Sequence, residues 1–441
     1  MIAALLALGC SGRPNLETLR DPEACAACHP VHVEQWRGSM HAYASTDPLF
    51  RALNARGQRE TNGELGDFCV RCHAPLAVEL GLTTDGLDLD DVPEELQGVN
   101  CYFCHSVSAV DGTHNNPLQL THDGVMRGGI ADPVRNSFHA SRYSPLLDRD
   151  DAASAQACGA CHDIVAPSGA HIERTFLEWR ESVYDRDDVA FQRLTCGNCH
   201  MEGDDRPVAE LAGSTFPVRR LHGHAWPAVD IALTDFPGRD VQRALVQDAL
   251  DDVINPQLCV TVDPVGLETS IVADLENLAA GHAFPSGAAA DRRVWVELVA
   301  YQGGEEVWRT GRVEPGVAMD DTPDPDRWSF GDRHFDATGG LTHFFWEVET
   351  VASSLLPAPT AFSPTDPDWT DTHRARTWVV EGVQADRVTL AMHLRPYPLD
   401  VARRLVEEEG LDPGVVDAIP TFTLGSAALE WSVDLGRACV R

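Results

Sequence analysis

Lysine is absent. All 34 basic residues of the 441-residue chain are arginine, against 68 acidic ones, for a formal net charge of −34. That closes off lysine chemistry: there is no Schiff-base nucleophile and no phosphate-loop lysine. The shortage of positive charge excludes nucleic acid as a partner, because phosphate neutralisation needs a cationic surface. Aromatics are sparse, at 7%, and no stretch approaches the roughly 18 apolar residues of a membrane span. What remains, 43% hydrophobic and 23% charged residues, is the composition of a folded protein with length for two or three cores.

Cysteine, by contrast, is plentiful: thirteen residues, ten of them in five C-x-x-C pairs each followed directly by histidine. The pairs are Cys25 and Cys28 before His29, Cys69 and Cys72 before His73, Cys101 and Cys104 before His105, Cys158 and Cys161 before His162, and Cys196 and Cys199 before His200. Zinc knuckles, redox dithiols and disulfides also pair cysteines, but none of them needs a histidine after the second one. With 18 histidines in the chain, five such coincidences would arise by chance at a frequency on the order of 10⁻⁷. The pattern is that of covalent haem attachment. Two thiols at this spacing add to the two vinyl groups of a porphyrin, and the next histidine becomes an axial ligand of the iron. Five c-type haems are expected, none of them ligated by lysine. At about 35 residues per motif, below the ~40 at which a domain needs a covalent or metal staple, the motifs form one haem-packed unit and not five domains.

The first ten residues run apolar to Cys10 and then turn polar with glycine and proline. Ala7-Leu8-Gly9-Cys10 reads as a lipoprotein cleavage box that makes Cys10 the lipidated first residue; an ordinary secretory signal or a ragged terminus is the alternative. Either reading means export, with membrane attachment by lipid only.

Two histidines recur in matching contexts, Ser39-Met40-His41-Ala42 and Ser137-Phe138-His139-Ala140. Trp36-Arg37-Gly38-Ser39 likewise echoes Trp179-Arg180-Glu181-Ser182, with His41 five residues after the first tryptophan and Tyr184 five after the second. These echoes point to duplication. The order C-x-x-C-H then W-x-x-S-x-H-A, with Gly98-Val99-Asn100 before the third motif and His222-Gly223-His224-Ala225-Trp226-Pro227 after the fifth, resembles multihaem c-type cytochromes of the cytochrome c-554/c-prime type. These are related to the tetrahaem carriers of ammonia oxidisers and to the hydroxylamine oxidoreductases. The resemblance covers roughly residues 22 to 230. It implies that His41 and His139 are sixth ligands of neighbouring haems, and that His224, with His222 as its substitute, is a third. Among histidines without a matched context (His32, His114, His122 and His171), His122 is the best further candidate. Methionine is the other ligand type, but with only six in the chain bis-histidine ligation at low potential is favoured.

Past residue 230 the motifs stop. Residues 238 to 252 read as an amphipathic helix with Val241, Leu245, Val246 and Leu250 on one side. Alternation with β-branched and aromatic residues then predicts strands at 259–262, 270–275, 294–301, 306–309, 344–351, 377–384, 387–394 and 428–433, with a helix near 399–409. The chain divides into a signal and linker (1–24), a mostly α-helical and irregular haem-packed domain (25–230), a helical linker (231–255) and an antiparallel β-sandwich (256–441). Cys259 and Cys439 belong to no motif; in an exported protein a disulfide closing the β-domain is expected, with two buried thiols as the alternative. The run Gly281-His282-Ala283-Phe284-Pro285-Ser286-Gly287, followed by Arg292 and Arg293, resembles the β-domain appended to other multihaem cytochromes. Its rigid loop presents His282 as a further sixth ligand, with Arg292 or Arg293 pairing a propionate. Asp320, Asp321, Asp324 and Asp326 read as a solvated loop, since Pro323 and Pro325 break a calcium-binding spacing; residues 85–91 read as solvated linker.

These readings describe an exported electron-transfer cytochrome, periplasmic or at the cell surface, lipid-anchored to the outer membrane, with five closely packed and mainly bis-histidine haems. No catalytic residue is assigned. A basic redox partner suits the acidic surface. The alternative is a reductase of a small oxidised nitrogen or sulfur substrate at one haem with an open axial position, for which Tyr184 in place of a histidine is the hint. Carrier or enzyme stays open.

Overall fold

The computed structural model describes residues 15–187 and 193–441; Cys10 lies outside them. The first half breaks into short helices because caps and prolines recur every few residues. Asn15, Asp21, Ser39, Asp47, Asn100 and Asp151 each accept a backbone N–H at a helix start, satisfying donors that no helical bond reaches. Pro22, Pro30, Pro48 and Pro75 sit in first turns, where proline costs no hydrogen bond. Each attachment motif rides on or beside such a helix: Pro22–Ala26, Val70–His73, Cys101–Ser106, Ala152–His162 and Cys196–His200.

Between the helices lie short ribbons that the helical and irregular reading did not include. Val107–Val110 pairs Leu118–Leu120, Asp163–Val165 pairs His171–Arg174 and Gly203–Pro207 pairs Val218–His222, all antiparallel, while Val125–Gly128 runs parallel to Ala140–Tyr143. Strands of three to five residues are too short for alternation to register. The apolar side chains of this half gather in small separate clusters, such as Leu19, Leu76, Tyr102 and Phe103, or Ala155, Phe176 and Trp179.

The second half is organised differently. The Arg239–Asp251 helix buries Val246 and Leu250, but Val241 faces out, 61% exposed. Two antiparallel sheets follow. In the first, His373–Glu381, Glu268–Asn277, Ile254–Asp263 and Cys439–Val440 lie side by side. In the second, Glu305–Thr310, Arg293–Gln302, Arg387–Arg395 and Phe422–Thr423 do so. Leu258, Val260, Ile271 and Leu275 from the first sheet share one continuous core with Val296, Leu298, Leu390 and Met392 from the second. Cys259 and Cys439 are cross-strand partners joined by a disulfide, S–S 2.09 Å, across 180 residues of sequence.

The strand expected at 344–351 is replaced by a turn, Phe345–Glu347, and a later strand, Thr350–Ser353. Packing overrides alternation there: the Trp346 ring lies against Gly57 of the Pro48–Glu60 helix, so close that a β-carbon on Gly57 would come within 2.9 Å of it. The same helix meets the Leu399–Glu409 helix through ion pairs of Arg56 with Glu408 and of Arg59 with Glu409. The two halves are thereby closed against each other around the space that the motifs line.

Candidate functional site

All ten motif cysteines and all five following histidines line one cavity of about 2090 Å³, well above the ~300–1,000 Å³ of an ordinary ligand pocket. None of the ten thiols is in a disulfide. Burial pushes Cys69 and Cys104 up to about 12, so both stay protonated at neutral pH. Thiols of different motifs lie beside each other: Cys25 with Cys101, Cys72 with Cys161, and Cys158 with Cys196. Among the described residues no three His, Cys, Asp or Glu side chains converge as a bare metal ion would require. That geometry disfavours zinc sites and leaves a larger group held by each cysteine pair.

Histidine rings meet across this cavity in a repeated spacing. His29 and His139 have centroids 6.3 Å apart, His162 and His41 6.2 Å, His105 and His224 6.4 Å, and His200 and His282 6.5 Å. Two imidazoles sharing one metal through ring nitrogens, each ~2.0–2.1 Å from it as at zinc, have centroids roughly 6 Å apart. Several rings are aimed by their other nitrogen. Nδ1 of His73 bonds the Ala44 carbonyl at 2.9 Å, that of His200 the Pro227 carbonyl at 2.7 Å and that of His105 the Arg127 carbonyl. On the opposite side, His224 bonds the His222 carbonyl at 2.9 Å and His282 the Ala283 carbonyl at 2.8 Å. A donor N–H committed to backbone leaves Nε2 as the lone-pair nitrogen for iron. Burial also pushes His41 down to about 3 and His29 and His162 down to about 4, which keeps these rings neutral and able to ligate. The donor set fits covalent haem.

The remote histidines come from well-held loops. The loop carrying His282 is docked on the Thr175–Glu181 helix: Ser286 donates to Glu178 at 2.6 Å and Gly287 N–H to Thr175 at 3.0 Å. The buried Asn277 side chain donates to the carbonyls of His282, 2.8 Å, and Leu356, 3.1 Å.

The other candidate residues stand outside these four pairs. His122 is exposed and away from the cavity, its ring nitrogens taken by the hydroxyl of the buried Tyr102, 3.3 Å, and by Glu79, 3.2 Å. His114 and His171 face each other at 6.2 Å, and both are exposed. His222 lines the cavity beside Arg149, and His32 packs edge-on to His224 at 4.8 Å. Arg292 and Arg293 are engaged by protein carboxylates, Asp230 and Asp320. Asp324 accepts from Thr310 and from the Gly311 N–H, so part of the acidic loop is bonded to its own neighbours. The Tyr184 hydroxyl donates to the Leu278 carbonyl.

One feature had no sequence signal. His73 alone among the motif histidines has no histidine ring against it among the described residues; Phe50 stacks on it instead, centroids 4.0 Å apart and planes 4° from parallel.

Residues 24–106, which hold the first three motifs, match the family model described as cytochrome c554 and c-prime. No curated protein matches the chain. Among solved structures, the chain is similar to a penta-heme cytochrome c552 from Thermochromatium tepidum, with a TM-score of 0.63 and 18% identity over 95% of this chain and 100% of that one. At that identity the likeness shows the fold. Five attachment motifs around one cavity, the family match over three of them and the shared fold together support a multihaem c-type cytochrome that binds haem covalently.

Proposed function

We propose that the chain is an exported carrier of electrons with five haems, four of them ligated by two histidines. The observation that carries this reading is the set of four imidazole pairs at 6.2–6.5 Å, each joining a motif histidine to a remote one across a shared cavity. Haem supplies one-electron iron chemistry when bound; the chain's part is to attach, ligate and crowd. His41, His139, His224 and His282 are the remote ligands. The thiol contacts group the attachment points: the first motif touches the third through Cys25 and Cys101, and the fourth touches the second through Cys161 and Cys72 and the fifth through Cys158 and Cys196. A formal charge of −34 suits a basic redox partner, steered to it at low salt. We read the two sheets as a β-sandwich and Cys10 as a lipid anchor placing the carrier at the outer membrane. The test is iron content and electron paramagnetic resonance of the oxidised holoprotein. Five irons per chain with dominant low-spin signals are expected; fewer irons, or mainly high-spin signals, would overturn the reading.

A second reading rests on His73. Without a histidine ring opposite among the described residues, its haem would keep an axial position for an external ligand, as a reductase of a small oxidised nitrogen or sulfur substrate needs. It predicts one high-spin component that shifts when cyanide or nitrite is added. An unresponsive, wholly low-spin spectrum rejects it.

A further inference from the structure

Where the β-region closes the cavity, carboxylates outnumber the cations available to them. Glu173 lies on the His171–Arg174 strand, Asp291 and Arg292 precede the Arg293–Gln302 strand, and Asp230 comes from the segment after the fifth motif. All four line the cavity, and so does Tyr397. The two terminal nitrogens of Arg292 bond Asp230, at 2.6 and 2.7 Å, and the Pro396 carbonyl at 2.7 Å, while its Nε has no partner among the described residues, so this one guanidinium serves several carboxylates. Arg293 is spent on Asp320 at 2.6 Å. Glu173 and Asp291 are thus left a cation short. Glu173 faces Arg292, Asp291, Asp230 and Asp163; Asp291 faces Arg292, Arg293, Asp230 and Asp400. The Tyr397 hydroxyl, from the segment after the Arg387–Arg395 strand, is buried without a hydrogen-bond partner among the described residues and faces Asp291, Asp47, Arg293 and Asp400. An unpaired buried hydroxyl beside surplus carboxylates marks a place where a proton, with its changing hydrogen bonds, is accommodated.

We infer that Glu173 and Asp291, with the unpartnered Tyr397 hydroxyl close to Asp291, form a proton-binding site that loads when the cavity's haems are reduced; this rests on the electron-carrier reading above. The chemistry balances simply. An external one-electron donor reduces a ferric centre to ferrous, and a carboxylate takes one proton from solvent to become a carboxylic acid, so that no other bond is made or broken. The sign follows from Coulomb's law: a negative charge added to a low-dielectric cavity favours the protonated form of a carboxyl on its wall. Burial already raises Glu173 to about 7 and Asp291 to about 6, so both lie where a modest push changes their occupancy near neutral pH.

Two measurements on the holoprotein test this. The reduced-minus-oxidised infrared difference spectrum is expected to gain a carboxylic-acid carbonyl band that shifts in D₂O and is lost in Glu173→Gln or Asp291→Asn. A dithionite titration followed at the Soret band between pH 5.5 and 8 should give a component whose potential falls by up to about 59 mV per tenfold drop in proton activity. That slope should be halved or abolished in the same variants. A silent carbonyl region in the wild-type protein overturns the inference without any variant needing to fold, and so does a slope that both variants retain. If the Soret band does not respond to dithionite at all, the carrier reading fails and this inference with it.

Discussion

Trp36 and Trp179 make the same bond: each indole N–H donates over 2.8 Å to the carbonyl two residues ahead of a motif cysteine, Val99 before Cys101 and Leu194 before Cys196. Ser39 and Ser182 then each donate over 2.7 Å to the carbonyl of their tryptophan and accept an N–H further on, from Ala42 and Tyr184. Beyond this point the two copies part. In the first, His41 continues into the cavity and faces His162. In the second, Tyr184 bonds Leu278, and Ser182 lies 3.2 Å from the carbonyl of Gly281, whose neighbour His282 faces His200. One copy carries its imidazole within the motif region; the other stands where the β-region brings one in. The fourth motif is therefore served from within the motif-bearing half of the chain, whereas the fifth depends on the folding of the β-region.

The largest effect that would test this contrast comes from removing each imidazole. His41→Ala and His282→Ala should each convert one haem's worth of low-spin signal to high-spin, with different components of the spectrum affected. The comparison breaks if either variant leaves all signals low-spin, or if both change the same one.

Next in size is the disulfide. Cys439→Ser opens a closure spanning 180 residues and should cost the β-region about 2–5 kcal/mol, read from its denaturant midpoint. Along the unfolding curve, the low-spin signal that His282→Ala removes should disappear with the β-region, while the one that His41→Ala removes persists. Loss of both signals at one midpoint would show that the two halves unfold as a single unit.

A smaller change acts on the loop alone. Asn277→Ala leaves the His282 and Leu356 carbonyls without their side-chain donor, at a cost of about 1–3 kcal/mol. It should broaden only the fifth-motif component in the magnetic spectrum; an effect on the His162 component would argue against a separate supply of ligands.

How far this arrangement is legible in the sequence varies with the kind of contact. The attachment cysteines are readable because one chemistry imposes one local spacing. His282 is readable as a residue in a rigid glycine and proline loop, but its partner is not, since nothing local links residue 282 to residue 200. His122 shows the reverse case. Its position in the haem region suggests a ligand, yet Tyr102 and Glu79 hold it at the surface. The missing partner of His73 left no trace, because an absent contact has no motif, and Phe50 reads as an ordinary apolar residue of the Pro48–Glu60 helix. The two sheets are legible from alternation, whereas the ribbons among the motifs are too short for it and the stretch around Trp346 is decided by packing on Gly57.

The smallest predicted effects concern what the copies share. Trp36→Phe and Trp179→Phe keep an aromatic ring and delete one N–H, leaving a carbonyl short of one donor. Because a carbonyl tolerates partial satisfaction better than an N–H does, each should cost only about 1 kcal/mol, measured as a shift in denaturant midpoint. The two costs should be equal within a few tenths of a kcal/mol, since both bonds are 2.8 Å long and end two residues before a cysteine. If they are equal, the copies are equivalent scaffolds that diverge only at the residue pointing into the cavity. If Trp179→Phe costs markedly more, the second copy is also bearing the docked β-loop through Ser182, and the divergence begins one step earlier than His41 and Tyr184.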